Sequence, residues 1–241
     1  MGAKFHFGVE VGRSITIDNI LAFHDRLIIA IGAAQERLQN LEAKEGYVGG
    51  LSLLYDLNVK KEAEKYQKKY QNAFVWGGGN VALDCARSLK RILPNVSIIY
   101  RRGEEQMPAN KDEIKDAKKE GVEFHFLENI LSLEKDLNGK LVGARCIKME
   151  LGPEDQSGRA SFKEIENSEF SIDCDLIVAA TGQAVDTEVL KPGLVHTWRN
   201  KNHETSQDRI YVAGDCYLGP KTVVHCIQDG KDVAQEIIAS F

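Results

Sequence analysis

Little in this sequence marks it as secreted, fibrous or membrane-bound. Only five of its 241 residues are cysteine, an odd number, and none forms a C-x-x-C pair. That spacing argues against a disulfide framework, a zinc ribbon or an iron–sulfur motif, and predicts reduced thiols in a cytoplasmic protein. The six histidines (His6, His24, His125, His196, His203 and His225) lack H-x-x-x-H spacing, so no metal site is expected. No stretch approaches the ~18–20 apolar residues of a membrane span, and no membrane association is expected. The start, Met1-Gly2-Ala3-Lys4-Phe5-His6, carries no apolar signal core. Excess positive charge is also missing. The formal net charge of −5 leaves no basic footprint for nucleic acid. What is present is a globular balance, 43% hydrophobic and 28% charged, which excludes collagen-like and disordered chains. At roughly 100–200 residues per domain, the length allows one large domain, or one domain plus part of another.

Short aliphatic strands alternate with helical stretches, the pattern of an α/β chain. Alternation predicts a strand over 5–11, then a short helix over 16–24 with Thr16 as its N-cap. An aliphatic strand over 27–31 ends at Gly32. Residues 33–56 read as irregular, punctuated by Gly46, Gly49 and Gly50, and 57–70 as an exposed charged helix. Strands follow at 73–76, 96–100 and 122–127, with a helix over 80–93 and a charged helix between Pro108 and Gly121. Asn138-Gly139 marks a hairpin between strands at 131–135 and 141–151. A loop is expected over 152–159, strands over 176–180 and 210–213, and a closing helix over 222–239. One internal echo stands out. Asp25-Arg-Leu-Ile-Ile-Ala-Ile-Gly32 is matched by Asp175-Leu-Ile-Val-Ala-Ala-Thr181-Gly182, which points to two related nucleotide-binding units.

Gly77-Gly78-Gly79-Asn80-Val81-Ala82 contains a G-x-G-x-x-A pattern between a strand and a helix, the context of a dinucleotide fingerprint. The first glycine permits the tight turn, the second lets backbone approach a pyrophosphate, and Ala82 permits close packing. The helix N-terminus then offers N–H groups and a positive dipole end. At the end of the next strand, an acidic residue would bond a ribose 2′-hydroxyl. The sequence there is Tyr100-Arg101-Arg102, and two guanidinium groups suit a 2′-phosphate instead. NADPH is therefore expected in preference to NADH. A third element, Gly214-Asp215-Cys216, follows a strand, and Thr222-Val223-Val224 opens the last helix.

Together with Asn80-Val-Ala-Leu-Asp84-x-Ala-Arg87, Met107-Pro108 and Glu120-Gly-Val-Glu-Phe124, these motifs occur in an order that resembles the small subunit of bacterial glutamate synthase. The relatives of that family include the NADPH-side domains of dihydropyrimidine dehydrogenase. The resemblance is strongest over 73–128 and 170–241. It implies two nested domains, the NADPH domain inserted into the FAD domain, with hydride passing from nicotinamide to flavin and electrons leaving through iron–sulfur centres. It implies that Asp215 bonds the ribityl–phosphate region of the flavin, beside Gly214. Thr222, Val223 and Val224 would place a helix N-terminus near the isoalloxazine, where its dipole favours negative charge. Thr181, Gly182 and Gln183 would lie at a crossing between domains near the cofactors. No catalytic acid, base or nucleophile is required, because the flavin carries the chemistry. Cys85, Cys174, Cys216 and Cys226 read as buried small residues, in contrast to the thioredoxin reductase pattern.

The chain also departs from that family. It carries one glycine fingerprint where two are usual, and lacks the FAD-gripping and cysteine-rich portions that precede it. Trp76 stands where a smaller aliphatic is usual and is expected to pack in the core. The expected architecture is a Rossmann-like three-layer dinucleotide-binding domain with a β-meander at 57–172. It is inserted into a partial, FAD-type Rossmann-like domain formed by 1–56 and 173–241. The expected cofactors are NADPH, and FAD once the missing part is supplied. The expected partner is a large glutamate synthase-like subunit or another electron-transfer protein. An NADP(H)-binding or regulatory module without its own flavin chemistry is the alternative.

Overall fold

The structure is a computed structural model that describes residues 2–154, 160–186 and 202–241. In chain order it begins with α1 (Ile17–Leu21), β1 (Leu27–Ile29), β2 (Gln35–Glu36), β3 (Tyr47–Gly49), α2 (Gly50–Asn58) and α3 (Ala63–Lys69). The middle comprises β4 (Asn72–Trp76), α4 (Asn80–Lys90), β5 (Asn95–Tyr100), a 3₁₀ turn (Glu104–Gln106), α5 (Lys111–Lys119) and β6 (Glu123–Phe126). Then come β7 (Glu128–Lys135), β8 (Leu141–Glu154), β9 (Ala160–Asp173) and β10 (Leu176–Ala179). The chain closes with β11 (Gln183–Ala184), β12 (Ile210–Val212), α6 (Asp215–Leu218) and α7 (Val223–Ala239).

Two compact units emerge, Glu36–Gly182 and a discontinuous one of Met1–Gln35 with Gln183–Phe241. The expected divisions at 56/57 and 172/173 thus fall at 35/36 and 182/183. The reason is the sheet: β3 and β10 are strands of the same parallel five-stranded sheet as the glycine-rich strand, in the order β3-β10-β4-β5-β6. Within that unit, side-chain alternation sorts residues to two faces. Ala73, Val75, Ile98, Leu176 and Val178 point to a core shared with Leu53 of α2, Leu83 and Leu89 of α4, and Ile114 of α5. Trp76, Ile99 and Ile177 point the other way, onto Ile130, Leu141, Ala144 and Cys146 of the meander β7-β8-β9. Three layers result: helices, parallel sheet, antiparallel sheet. Ile98, Ile99 and Ile177 are fully buried, each worth about 1.5–3 kcal/mol of apolar burial.

The discontinuous unit is thinner. Its β1 and β12 form a two-stranded parallel pair, with Leu27 opposite Ile210 and Ile29 opposite Val212. Ile17, Ile29 and Ile210 pack on one side, and Tyr211, Ala213 and Val233 form a second small cluster. Thr16 caps α1 as expected: its hydroxyl accepts from the Asn19 N–H at 3.1 Å. Arg209 staples the unit, donating to the Asp25 and Leu21 carbonyls at 2.8 Å and also to that of His24.

Three local expectations are corrected. Residues 5–11 do not form a strand; only an isolated bridge joins Val11 to Ile15, because the alternating Phe5-x-Phe7-x-Val9 segment meets no partner strand among the described residues. Residues 33–56 are not irregular, since they supply β2, β3 and most of α2, and the helix expected over 57–70 is reduced to α3. The 14-residue strand β9, absent from the sequence reading, pairs antiparallel with β8. Of the loop expected over 152–159, residues 155–159 lie outside the described residues, as does His196.

Candidate functional site

The parallel strand β4 ends at Trp76 and the chain turns through three glycines that are glycine for different reasons. Gly77 has φ +151°, and a Cβ there would run into the Ala180 carbonyl at the end of β10. A Cβ on Gly78 would strike the Tyr100 ring at 2.6 Å. A Cβ on Gly79 would meet nothing within 4 Å, so this part of the loop stays open. Gly79 is also the N-cap of α4, and with no side chain it leaves the first turn without a side-chain cap or a nearby acid. Asn80 accepts a hydrogen bond from the Asn110 N–H at 3.0 Å, which joins the N-termini of α4 and α5.

These residues border a cavity of about 460 Å³ lined by Gly77, Gly78, Gly79, Tyr100, Arg101, Arg102, Pro108, Ala180, Thr181 and Gly182. Sequence-separated motifs thus converge on one space. Gln39, Leu41, Trp76, Asn129, Ile130 and Leu131 complete the lining. Trp76 is buried as expected but also faces this cavity, and its indole N–H donates to Asn129 Oδ1 at 3.0 Å. Thr181 is engaged: its hydroxyl donates to the Arg37 carbonyl and accepts from Gln39, both at 2.8 Å. Gln183 is not part of the lining; it lies in the two-residue strand β11, paired with β2. Nor does Val81 reach the cavity; its side chain lies near Gly50 of α2.

The end of β5 is held firmly. The Tyr100 hydroxyl donates to the Gln106 carbonyl at 3.0 Å. The Arg102 carbonyl accepts from the Leu127 N–H, and its side chain, only 6% exposed, donates through Nε to the Ala160 carbonyl at 2.7 Å. Arg101 is exposed. The cavity therefore has the glycine turn that leads into α4 on one side and two guanidinium-bearing residues on another. Its residues fit a phosphorylated dinucleotide.

In the discontinuous unit, Gly214 (φ +75°) ends the strand segment, and its N–H donates to Asp229 Oδ2 at 2.6 Å. Asp215 is not idle: one carboxylate oxygen accepts from the Lys221 N–H at 2.9 Å and from the Cys226 thiol at 3.1 Å. Gly32, Gly214, Asp215, Cys226 and Gly230 line a second cavity of about 320 Å³. Thr222 is the N-cap residue of α7 but bonds His225 rather than the helix, so this N-terminus too lacks a side-chain cap. Val223 and Val224 are 76% and 74% exposed. Behind the turn, His203 is buried between two acids, with Nε2 to Asp229 and Nδ1 to Glu236 at 2.9 Å each. Burial opposes charge on this imidazole, but the bonds to Asp229 and Glu236 outweigh it and raise its pKa.

A family model, pyridine nucleotide-disulphide oxidoreductase, matches residues 9–230. The chain belongs to this family. Among its relatives, the beta subunit of an NADP(+)-dependent formate dehydrogenase from Moorella thermoacetica is 36% identical over 98% of this chain and 34% of its own length. The glutamate synthase [NADPH] small chain of Escherichia coli is 28% identical over 99% of this chain and 55% of its own length. The chain therefore spans about a third to a half of the length of these two relatives. Among solved structures, Mycobacterium tuberculosis FprA in complex with NADPH superposes with a TM-score of 0.77 at 20% identity, covering 95% of this chain and 66% of that one. Thioredoxin reductase of T. acidophilum gives 0.64 at 17% identity, covering 89% and 65%. The fold is thus the Rossmann-like α/β one of these structures.

Although the family is named for a disulfide, this chain carries none: all five cysteines are free. Burial pushes the Cys146 and Cys174 thiols up to about 12 and raises Cys85 and Cys216, while the bond to Asp215 raises Cys226. None is an activated thiolate. Among the described residues no cluster of His, Cys, Asp and Glu could hold a metal ion, and no helix is long and apolar enough to cross a membrane. Sequence reasoning missed Glu36, which caps α2 from a distance by accepting from the Leu51 and Ser52 N–H groups. It also missed Asn129, Asp229 and His203, which sit in no local motif.

Proposed function

We propose that this chain is the NADPH-binding part of a flavin-dependent oxidoreductase, in which NADPH supplies hydride and FAD accepts it. The observation that carries the reading is the open Gly79–α4 turn facing the same cavity as Tyr100–Arg102. Gly77, Gly79 and Asn80 would meet the pyrophosphate through backbone N–H groups, and Arg101 with Arg102 would meet the 2′-phosphate. Thr181 and Gly182 would border the nicotinamide end. The protein's contribution is positional: the glycine turn between β4 and α4 would orient the dinucleotide.

FAD fits the discontinuous unit at one end only. Gly214, Asp215 and the N-terminus of α7 would hold its ribityl–phosphate region, and Thr222, Val223 and Val224 would lie near the ring. The described residues contain one strand–G-x-G–helix turn, and it belongs to the other unit. Exposed Phe5, Phe7, Phe23, Val223 and Val224 favour a further polypeptide segment that completes this unit and brings the second fingerprint. Electrons would then pass to an iron–sulfur or partner-subunit acceptor, as in a glutamate synthase-like assembly in the cytoplasm. The test is direct. Calorimetric titration should show NADPH binding more tightly than NADH, and Arg101→Ala with Arg102→Ala should remove the preference. Equal loss for both nucleotides would overturn the 2′-phosphate assignment. The same lone fingerprint favours a second reading, an NADP(H)-binding module. NADPH binding without dye reduction, even with added FAD and the missing segment, would select it.

A further inference from the structure

The antiparallel sheet places an aromatic ring on the arginine pair. Phe162, half-buried on β9 opposite Leu151 of β8, lies 4.1 Å from the Arg101 guanidinium carbon and 4.7 Å from that of Arg102, measured to the ring centroid. One ring therefore touches both cations. The two arginines are otherwise unlike. Arg102 is buried and bonds the Ala160 carbonyl, two residues before Phe162 in the same strand, so it ties this end of β9 to the end of β5. Arg101 is exposed and borders the cavity. A guanidinium over a ring meets it through its flat face, while its N–H donors lie in its own plane. Contact with a ring fixes a long, flexible side chain in one orientation.

Resting on the reading of this pair as a 2′-phosphate site, we propose that Phe162 sets the preference for NADPH over NADH. It is a positioning residue: it holds the Arg101 guanidinium where the 2′-phosphate binds, and Arg102 serves mainly to keep Phe162 in place. The site then draws on three segments far apart in sequence: the glycine loop, the end of β5, and the β8–β9 hairpin. Its arginine–phenylalanine part recognises the ribose 2′-phosphate monoester, while the glycine loop meets the pyrophosphate.

The experiment titrates NADPH, NADH and 2′,5′-ADP against the whole chain and against Phe162→Leu and Phe162→Tyr. Leucine keeps the apolar packing on β9 and removes the ring; tyrosine keeps the ring. Phe162→Leu should weaken NADPH and 2′,5′-ADP by about tenfold and leave NADH within about twofold, the scale of a lost cation–π contact. Phe162→Tyr should retain the wild-type preference. A chain that prefers NADPH but loses both nucleotides equally, or neither, in Phe162→Leu would overturn the role of Phe162 and leave the 2′-phosphate reading standing. A wild-type chain without preference would overturn both.

Discussion

Both compact units set a glycine between a parallel strand and a helix, yet the two turns live in different surroundings. Gly77 follows the central strand of a five-stranded sheet and is wedged against the Ala180 backbone just after β10. Gly214 follows a two-stranded pair, with open space where its Cβ would be. Parallel sheets are ordinarily covered on both faces, and a two-stranded pair is marginal alone. The discontinuous unit instead leaves Phe5, Phe7, Phe23, Val223, Val224 and Ile227 exposed. The contrast is one of cover: the strands of the first unit are buried against layers on both faces, while the second unit leaves apolar side chains exposed.

Five tests bear on this contrast. Gly77→Ala should destabilise the Glu36–Gly182 unit by ~3 kcal/mol or more, because a positive φ and a backbone clash add. Gly214→Ala should cost less, about 1–3 kcal/mol, the penalty of its φ +75°, ψ −154° backbone with no clash added. Urea unfolding followed for each unit separates the two, and equal losses would erase the contrast. Next, His203→Gln should cost about 1–3 kcal/mol, since it leaves the buried Asp229 short of a partner. The pH dependence has a definite sign. The folded pKa of His203 is raised, so its contribution is complete below the unfolded value of about 6.5 and is lost as pH rises through the folded value. Thermal melts of wild type and His203→Gln should therefore converge toward alkaline pH; a gap that widens would sink the assignment. Hydrogen exchange gives a smaller contrast. Amides of β4, β5 and β10 should exchange at least about tenfold more slowly than those of β1 and β12, a difference of ~1.4 kcal/mol in opening free energy. Smallest of all, Val223→Ser with Val224→Ser should change stability by less than about 0.5 kcal/mol. It should also reduce dye binding to exposed apolar surface, whereas a large loss of stability would mean these valines are already packed.

Legibility in the sequence followed the reach of each signal. The β4–glycine–α4–β5 run was readable because period-two and period-3.6 patterns, a proline stop and three glycines all agree within thirty residues. The hairpin at Asn138-Gly139 was readable for the same local reason, and Gly139 has φ +81°. Alternation at Phe5, Phe7 and Val9 misled, because a strand needs a neighbour and periodicity does not report one. The reverse error hid β9. Its sequence, Ser161-Phe-Lys-Glu-Ile-Glu-Asn-Ser-Glu-Phe170, is polar because most of the strand faces solvent, and it is held by long-range pairing with β8. Likewise β3 and α2 were concealed among Gly46, Gly49 and Gly50, and Glu36 caps α2 from fifteen residues away. The cavity residues found in advance lie in contiguous motifs. Those missed, Asn129 and Gln39 above all, reach the cavity only through the crossing of chain segments.

The Tyr100 ring under Gly78 limits any redesign of cofactor choice. Exchanging the Tyr100-Arg101-Arg102 triplet for an acidic, NADH-type sequence invites replacement of all three side chains at once. Only the exposed Arg101 is open to that exchange, since Arg102 is buried and ties the end of β5 to β9. Tyr100 is the floor on which the glycine loop rests, pinned through its hydroxyl to Gln106. A smaller residue there would leave a void beneath the loop, and a differently shaped one would push against Gly78. Position 78 and position 100 therefore form a single unit of variation, to be altered together or left alone.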